Sequence, residues 1–289
     1  MSGTVGPVTV VVLAIIAIWY IAAVALNTPF QKDIYERAGQ SDVAVSQMVT
    51  DTLFQERPVL PAPHQVIVEI WETTVEKKIT SKRSLVYHTG ITLSSTLMGF
   101  LIGTTLGILL AIGIVHSRVL DKSLMPWIIS SQTIPILAIA PMIIVVLNAV
   151  GISGLLPKAM ISTYLSFFPV TVGMVKGLRS PEVMHMDLMH TYSATRLQAF
   201  WKLRLPYAVP YLFTSMKIGM AASLVGAIVG ELPTGAVAGL GARLLAGSYY
   251  GQTVQIWSAL LMAAFLAGSL VALIGVLEKL TLKRMGMAQ

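Results

Sequence analysis

Long apolar runs recur along the chain at 8–26, 92–115, 125–149, 154–175, 207–230 and 254–277. Each is close to the roughly 20 residues that a helix needs to cross a hydrocarbon core about 30 Å thick. Inside lipid every backbone amide and carbonyl has to pair within the protein, so such runs are helices. The pattern predicts an all-α integral membrane protein of about six transmembrane helices. The first run, from Val8 to Leu26, has no basic region before it and is too long for the apolar core of a signal peptide. It is expected to be a retained span.

The polar stretches between the runs predict the organisation of the rest. Residues 27–89 form one long polar segment with a proline knot at Pro58, Pro61 and Pro63. From His64 to Lys82, Val66, Ile70, Val75 and Ile79 recur at near-helical spacing among charged residues, which predicts a surface or interfacial helix. The expected division is a first transmembrane helix at 1–26, an external segment at 27–89, a core of five helices at 90–277 and a tail at 278–289. On the second span Gly99, Gly103 and Gly107 make a small-residue stripe that lets another helix approach closely, within this chain or in a second copy.

Composition changes the picture in one respect. With 55% hydrophobic and 11% charged residues and a mean hydropathy of +0.76, the chain is far from a soluble domain, in which about a quarter of residues are charged. Its net charge of +7 is better explained by orientation than by nucleic acid, because basic residues collect in the short cytoplasmic loops of membrane proteins. If the N-terminus is inside, those loops and the tail hold Arg118, Lys122, Lys176, Arg179, Arg196, Lys202, Arg204, Lys279, Lys283 and Arg284, against Lys158 and Arg243 opposite. Both termini are therefore expected in the cytoplasm. The chain has no cysteine, which excludes disulfides, thiolate metal sites and cysteine nucleophiles.

The segment 176–206 is too long for a turn and too regular for disorder. Ser180-Pro181-Glu182 has the residues that start a helix, and a second helix is expected from about Ser193, whose hydroxyl can cap it. There Leu197, Phe200, Trp201 and Leu205 fall at spacings of three and four and predict a single apolar stripe. Such a hairpin either packs on its own bundle or docks a soluble partner.

In this segment the sequence resembles the permease subunits of binding-protein-dependent ABC importers. Their signature is E-A-A, three residues, G, nine residues, I, one residue, L-P. Here Asp187-Leu188-Met189 is followed after three residues by Ser193, and after nine more, Ala194 to Lys202, by Leu203-Arg204-Leu205-Pro206. The spacing is kept, while Leu205-Pro206 alone is literal. Leu60-Pro61-Ala62-Pro63, Ile134-Pro135 to Ala140-Pro141, Pro206 to Pro210 and Gly239-Leu240-Gly241 extend the likeness, which is greatest to the branch that imports nitrate, sulfonates, taurine, thiamine-pyrimidine precursors or riboflavin.

The resemblance implies a type I importer permease fold and no cofactor or metal. It also implies a cytoplasmic ATP-binding subunit, a second permease copy and an external solute-binding protein as partners, besides membrane lipid. It implies that Asp187, Leu188, Met189, Ser193, Ala194, Arg196, Leu203, Leu205 and Pro206 couple the permease to the ATPase. Serine in place of the signature glycine predicts a changed backbone or a small strain, since positive φ is cheap only for glycine.

Other residues suggest a path through the membrane. Glu231 opens Glu231-Leu232-Pro233-Thr234-Gly235 at the outer end of the fifth span, where it either contacts the path or holds the glycine-rich loop of Gly235, Gly239, Gly241 and Gly247. Lys217, about 21 Å away along the helix, is expected to snorkel to the cytoplasmic surface rather than pair with it. Met142 and Phe168 are candidates for lining a path for a flat organic solute. The absence of a basic cluster within the spans favours a neutral or heterocyclic solute over a bare anion. His185 and His190 are five apart and point away from each other, which argues against metal binding there. A self-sufficient secondary transporter is the competing class. It predicts buried ion-coordinating carboxylates or an inverted repeat, neither of which the sequence offers.

Overall fold

A computed structural model of the chain describes all residues except 1, 2, 4, 41, 42, 233–237, 288 and 289. The expected turn at Pro233-Thr234-Gly235 lies outside the described residues, which form helices and no strand. In order they are α1 (Val5–Arg37), α2 (Val45–Leu53), α3 (Pro63–Trp71), α4 (Leu85–His116), α5 (Arg118–Ser131) and α6 (Ile136–Ala149), then α7 (Leu155–Leu178), α8 (Val183–Thr191), α9 (Arg196–Ala199), α10 (Leu205–Glu231), α11 (Leu240–Tyr249) and α12 (Thr253–Arg284). Among the described residues, α1, α4, α7, α12 and the α9–α10 stretch are long and apolar enough to cross a membrane.

The run 125–149, expected as one span, is broken. α5 and α6 meet at 101°, with Pro135 as the N-cap of α6. Proline disfavours helical backbone in the residue before it and brings no amide hydrogen, and here, unlike at Pro169 and Pro210, the helix breaks between Ser131 and Ile136. Averaged hydrophobicity does not register such a break.

The chain divides into two compact units, 1–88 with 242–263 and 89–241 with 264–289. In the first, the proline knot is fastened to α1 by Asn27. Its buried amide donates to the Leu60 carbonyl (2.9 Å) and accepts from the Val59 and Leu60 amides (2.8 and 3.1 Å). The Trp19 indole donates to the Pro61 carbonyl and stacks, tilted, 4.9 Å from Trp257. The helix expected over 64–82 is shorter: α3 passes into a π-turn at Glu72–Glu76 and ends. Val66 and Thr73 are buried, but Val75, rotated by the wider π-turn, and Ile79, beyond the helix end, are exposed. α2 carries no apolar run, so the hydrophobic pattern does not predict it. Arg243 reaches Glu69 at 2.8 Å and the Arg83 carbonyl at 2.9 Å. Burial lowers the Arg243 pKa, opposed by the Glu69 charge.

The second unit is organised around α7. Between lipid-solvated helices apolar surface supplies little driving force, so close packing and hydrogen bonds decide the contact. A Cβ added to Gly99 would lie 2.2 Å from Ser162 Cβ, one on Gly103 2.1 Å from Ser166 Oγ, and one on Gly107 2.9 Å from the Phe167 carbonyl. The glycine stripe of α4 is thus spent on α7 within the chain. α10 covers α7 at Gly226, where an added Cβ would meet Ser162 Cα at 2.7 Å. Ser162 donates to the Ser223 carbonyl and Ser223 to the Thr96 carbonyl, each at 2.8 Å, so three helices share one hydrogen-bonded seam.

Lys217 does not snorkel freely: it is paired with Glu278 of α12. Glu278 stands one residue beyond the last apolar run, on a helix that continues to Arg284, so a lysine held by a carboxylate there avoids an isolated charge at the edge of the bilayer.

Candidate functional site

The segment joining α7 to α10 folds as a helical hairpin. α8 starts two residues later than the sequence suggests: Glu182 is its N-cap, without a side-chain bond, and the Ser180 hydroxyl donates back to the Gly177 carbonyl (2.7 Å), finishing α7 instead. α9 starts at Arg196, capped by Thr195 rather than Ser193. The Gln198 amide donates to Thr195 Oγ1, and the Gln198 side-chain carbonyl accepts from the Thr195 amide at 2.9 Å. This is a capping box, readable in the Thr195-x-x-Gln198 spacing.

Ser193 lies in the turn between the two helices with φ +52°, the only positive φ outside glycine among the described residues. A conformation that glycine adopts freely is therefore held by a serine, which costs roughly 1–2 kcal/mol. The Ala194 amide donates to the Met189 carbonyl (3.0 Å) and the Ser193 amide to the His190 carbonyl (2.8 Å), closing the end of α8.

The expected single stripe divides. Phe200 is 6% exposed and packs with Ala111, Ile114, Ile128, Met174, Val175, Leu178 and Ala208, with Leu205 beside them. Leu197 and Trp201, however, are 67% and 59% exposed. A π-turn over Phe200–Arg204 breaks the three-and-four spacing after Phe200, while Leu197, before the turn, faces away from the bundle. Phe200 also meets the His116 ring edge-on at 5.2 Å, and His185 of α8 lies against Tyr207 with ring centroids 5.8 Å apart. At the base of the hairpin Arg179 pairs with Asp121 at 2.9 Å.

The nine predicted coupling residues fall into three environments. Asp187, Leu188, Ser193 and Arg196 are exposed, and Met189 and Ala194 are half-buried. Met189, Ala194 and Arg196 line a hollow of about 330 Å³ with His116, Met186 and His190. Leu203, Leu205 and Pro206 are half-buried where the hairpin joins the bundle. Two exposed aromatics beside the signature positions, Tyr192 at 77% and Trp201, complete the outer surface.

The three predicted path residues are not brought together. Met142 is 67% exposed on α6, and Phe168 lines a groove between α7 and α10. Glu231 is fully buried, accepting from Thr92 Oγ1 (2.9 and 3.0 Å) and the Gly241 amide (2.9 Å), with Lys158 Nζ at 3.9 Å. It grips the glycine-rich loop: a Cβ on Gly239, φ +131°, would lie 2.1 Å from the Glu231 carboxyl carbon. Thr92 stands 139 positions away, and no local signal could have disclosed it.

Residues 103–287 match the family described as the binding-protein-dependent transport system inner membrane component. The chain belongs to this family. It is a permease subunit of an ABC importer, a multi-pass protein of the inner membrane, and membership implies an ATPase and a solute-binding protein as partners. It is 32% identical over 225 residues to the riboflavin transport system permease protein of Chloroflexus aurantiacus, which covers 78% of this chain and 80% of that one. It is 30% identical over 184 residues, 63% and 68% of the two chains, to the formylaminopyrimidine transport permease protein of Halalkalibacterium halodurans. It is 22% identical over 241 residues, 83% of each chain, to a putative aliphatic sulfonates transport permease protein of Bacillus subtilis. Each of these relatives is named as a transport permease protein.

Proposed function

We propose that this permease forms the path for a vitamin precursor or related heterocycle delivered by an external binding protein, and that residues 187–206 couple it to a separate ATPase. The observation that carries the reading is the divided hairpin, in which Phe200 is anchored in the bundle while Leu188, Tyr192, Leu197 and Trp201 stand exposed at its surface. Apolar side chains grouped between the apolar runs 154–175 and 207–230 are what a helix offers to a partner's groove. A buried aromatic anchor lets a displacement of the hairpin be passed to α10, which follows without a break.

In this reading both termini and the hairpin are cytoplasmic, residues 27–89 are external, and two copies of the permease pair. Relatives named for riboflavin and formylaminopyrimidine at 32% and 30% identity, against 22% and 24% for those named for sulfonates and nitrate, favour a heterocyclic solute. Nitrate, sulfonate or taurine is the alternative for the same machinery. The test is to replace Asp187 with Arg, or to enlarge the Ser193–Arg196 turn, in the reconstituted importer. Transport and ATPase co-purification should fall while the membrane domain elutes as folded protein. Wild-type values of both would refute the assignment.

A further inference from the structure

The α7–α10 groove that contains Phe168 has a chemistry that hairpin and seam do not explain. It has a volume of about 550 Å³, within the range of small-molecule pockets. Its walls carry two aromatic rings, Phe168 and the 37%-exposed Tyr211, with Thr214 and Ile218 further along. Lys176 closes one end with its Nζ 5.9 Å from the Tyr211 ring centroid. The floor is closed by contact of backbone with a small side chain, since a Cβ on Gly173 would lie 2.4 Å from Ser215 Cβ. Each wall contains a proline, Pro169 and Pro210, and neither can supply an amide to the carbonyl four residues before it. A second hollow shares Val172, Lys176 and Tyr211 and continues to Arg179 and Ser180 at the root of the hairpin.

The Thr214 and Ser215 hydroxyls are satisfied by the Pro210 and Leu212 carbonyls, but a groove meant only for an acyl chain has no use for a phenol and an ammonium group, which are costly to place against hydrocarbon. A bare anion such as nitrate or a sulfonate would need converging donors, and the groove offers a single cation at one end. Two rings with a cation over the face of one instead fit a flat aromatic body that stacks beside that cation and whose rim carries a carbonyl or negative charge: stacking holds the face and the ammonium holds the rim. We propose that the α7–α10 groove is a solute subsite for a planar heterocycle with a carbonyl or anionic edge, the ring against Tyr211 and Phe168 and the edge at Lys176. The subsite rests on the permease reading above and gives it a substrate class. The continuation toward Ser180 makes it the last station before the hairpin.

The test is calorimetric titration of the detergent-solubilised importer, permease with its ATPase and without the binding protein, using riboflavin, formylaminopyrimidine, taurine and nitrate. A ring compound should bind and the two compact anions should not. Tyr211→Leu should weaken that binding about tenfold and Lys176→Gln about threefold, with Tyr211→Phe close to wild type. Co-purification of the ATPase with each variant reports that the complex is intact. An intact complex that binds neither ring compound, that binds taurine or nitrate instead, or whose ring affinity ignores Tyr211→Leu, overturns the subsite alone. A permease that recruits no ATPase at all overturns the reading on which it rests.

Discussion

The seam of α4, α7 and α10 and the hairpin of α8 and α9 use side chains in opposite ways. In the seam the contacts are made by Gly99, Gly103, Gly226, Ser162 and Ser223, while large apolar residues such as Leu101, Leu109 and Val225 stand exposed at 64%, 62% and 52%. That is an economical surface only in lipid, where apolar groups gain little from leaving the solvent and packing needs small residues. The hairpin has few small residues and equally exposed large ones, yet it lies between the apolar runs 154–175 and 207–230, where exposed apolar groups signal a partner. Equal exposure therefore means different things in the two regions, and its meaning is set by the solvent around each.

The largest effects are expected where the seam is broken. Gly226→Leu or Gly99→Leu places a side chain into the backbone of α7 and should cost about 3 kcal/mol or more, seen as loss of the monodisperse peak on size exclusion. Normal yield and elution of both variants would show that α4 and α10 do not pack on α7 through these glycines. The hairpin comparison is sharper because it concerns adjacent residues. Phe200→Ala should lower stability by about 3 kcal/mol, measured as a fall in Tm. Trp201→Ala should leave Tm unchanged yet weaken ATPase co-purification by tenfold or more, as removal of an aromatic anchor does. If both variants behaved alike, the division of the hairpin into an anchored and a presented side would be wrong.

Glu231→Gln keeps one acceptor oxygen, which can serve both Thr92 and the Gly241 amide as Oε2 does now, and replaces the other with an amide NH2 while removing the charge facing Lys158, so its expected cost is about 1 kcal/mol. Glu231→Ala leaves those buried donors unpaired and should cost about 2–3 kcal/mol. Thermal unfolding of the two variants measures the difference. Ser193→Gly has the smallest effect and the opposite sign: relief of the positive φ should raise stability by about 1 kcal/mol. A lowered Tm would mean that the serine side chain contributes more than its backbone strain removes.

Sequence periodicity disclosed the helices and the glycine stripe because both are averages over many residues or repeats at a fixed interval. It missed the bend at Pro135, where a single residue overrides the hydrophobicity around it, and the π-turns at Glu72–Glu76 and Phe200–Arg204, which change the period that a stripe assumes. In the candidate site the signature spacing and the strained turn at Ser193 were legible. Its cap was misplaced by two residues although Thr195 and Gln198 stood at capping-box spacing. Pairs such as Lys217 with Glu278 join residues 61 positions apart, and only the folded chain puts them together.

The central claim is that the hairpin docks the ATPase from the cytoplasm, and the absence of cysteine makes a direct measurement simple. Leu188→Cys, in a chain otherwise free of thiols, should react with a membrane-impermeant maleimide in inside-out vesicles and not in right-side-out ones. Added ATPase subunit should block that labelling. Labelling from the outer face, or labelling indifferent to the ATPase, would contradict the account.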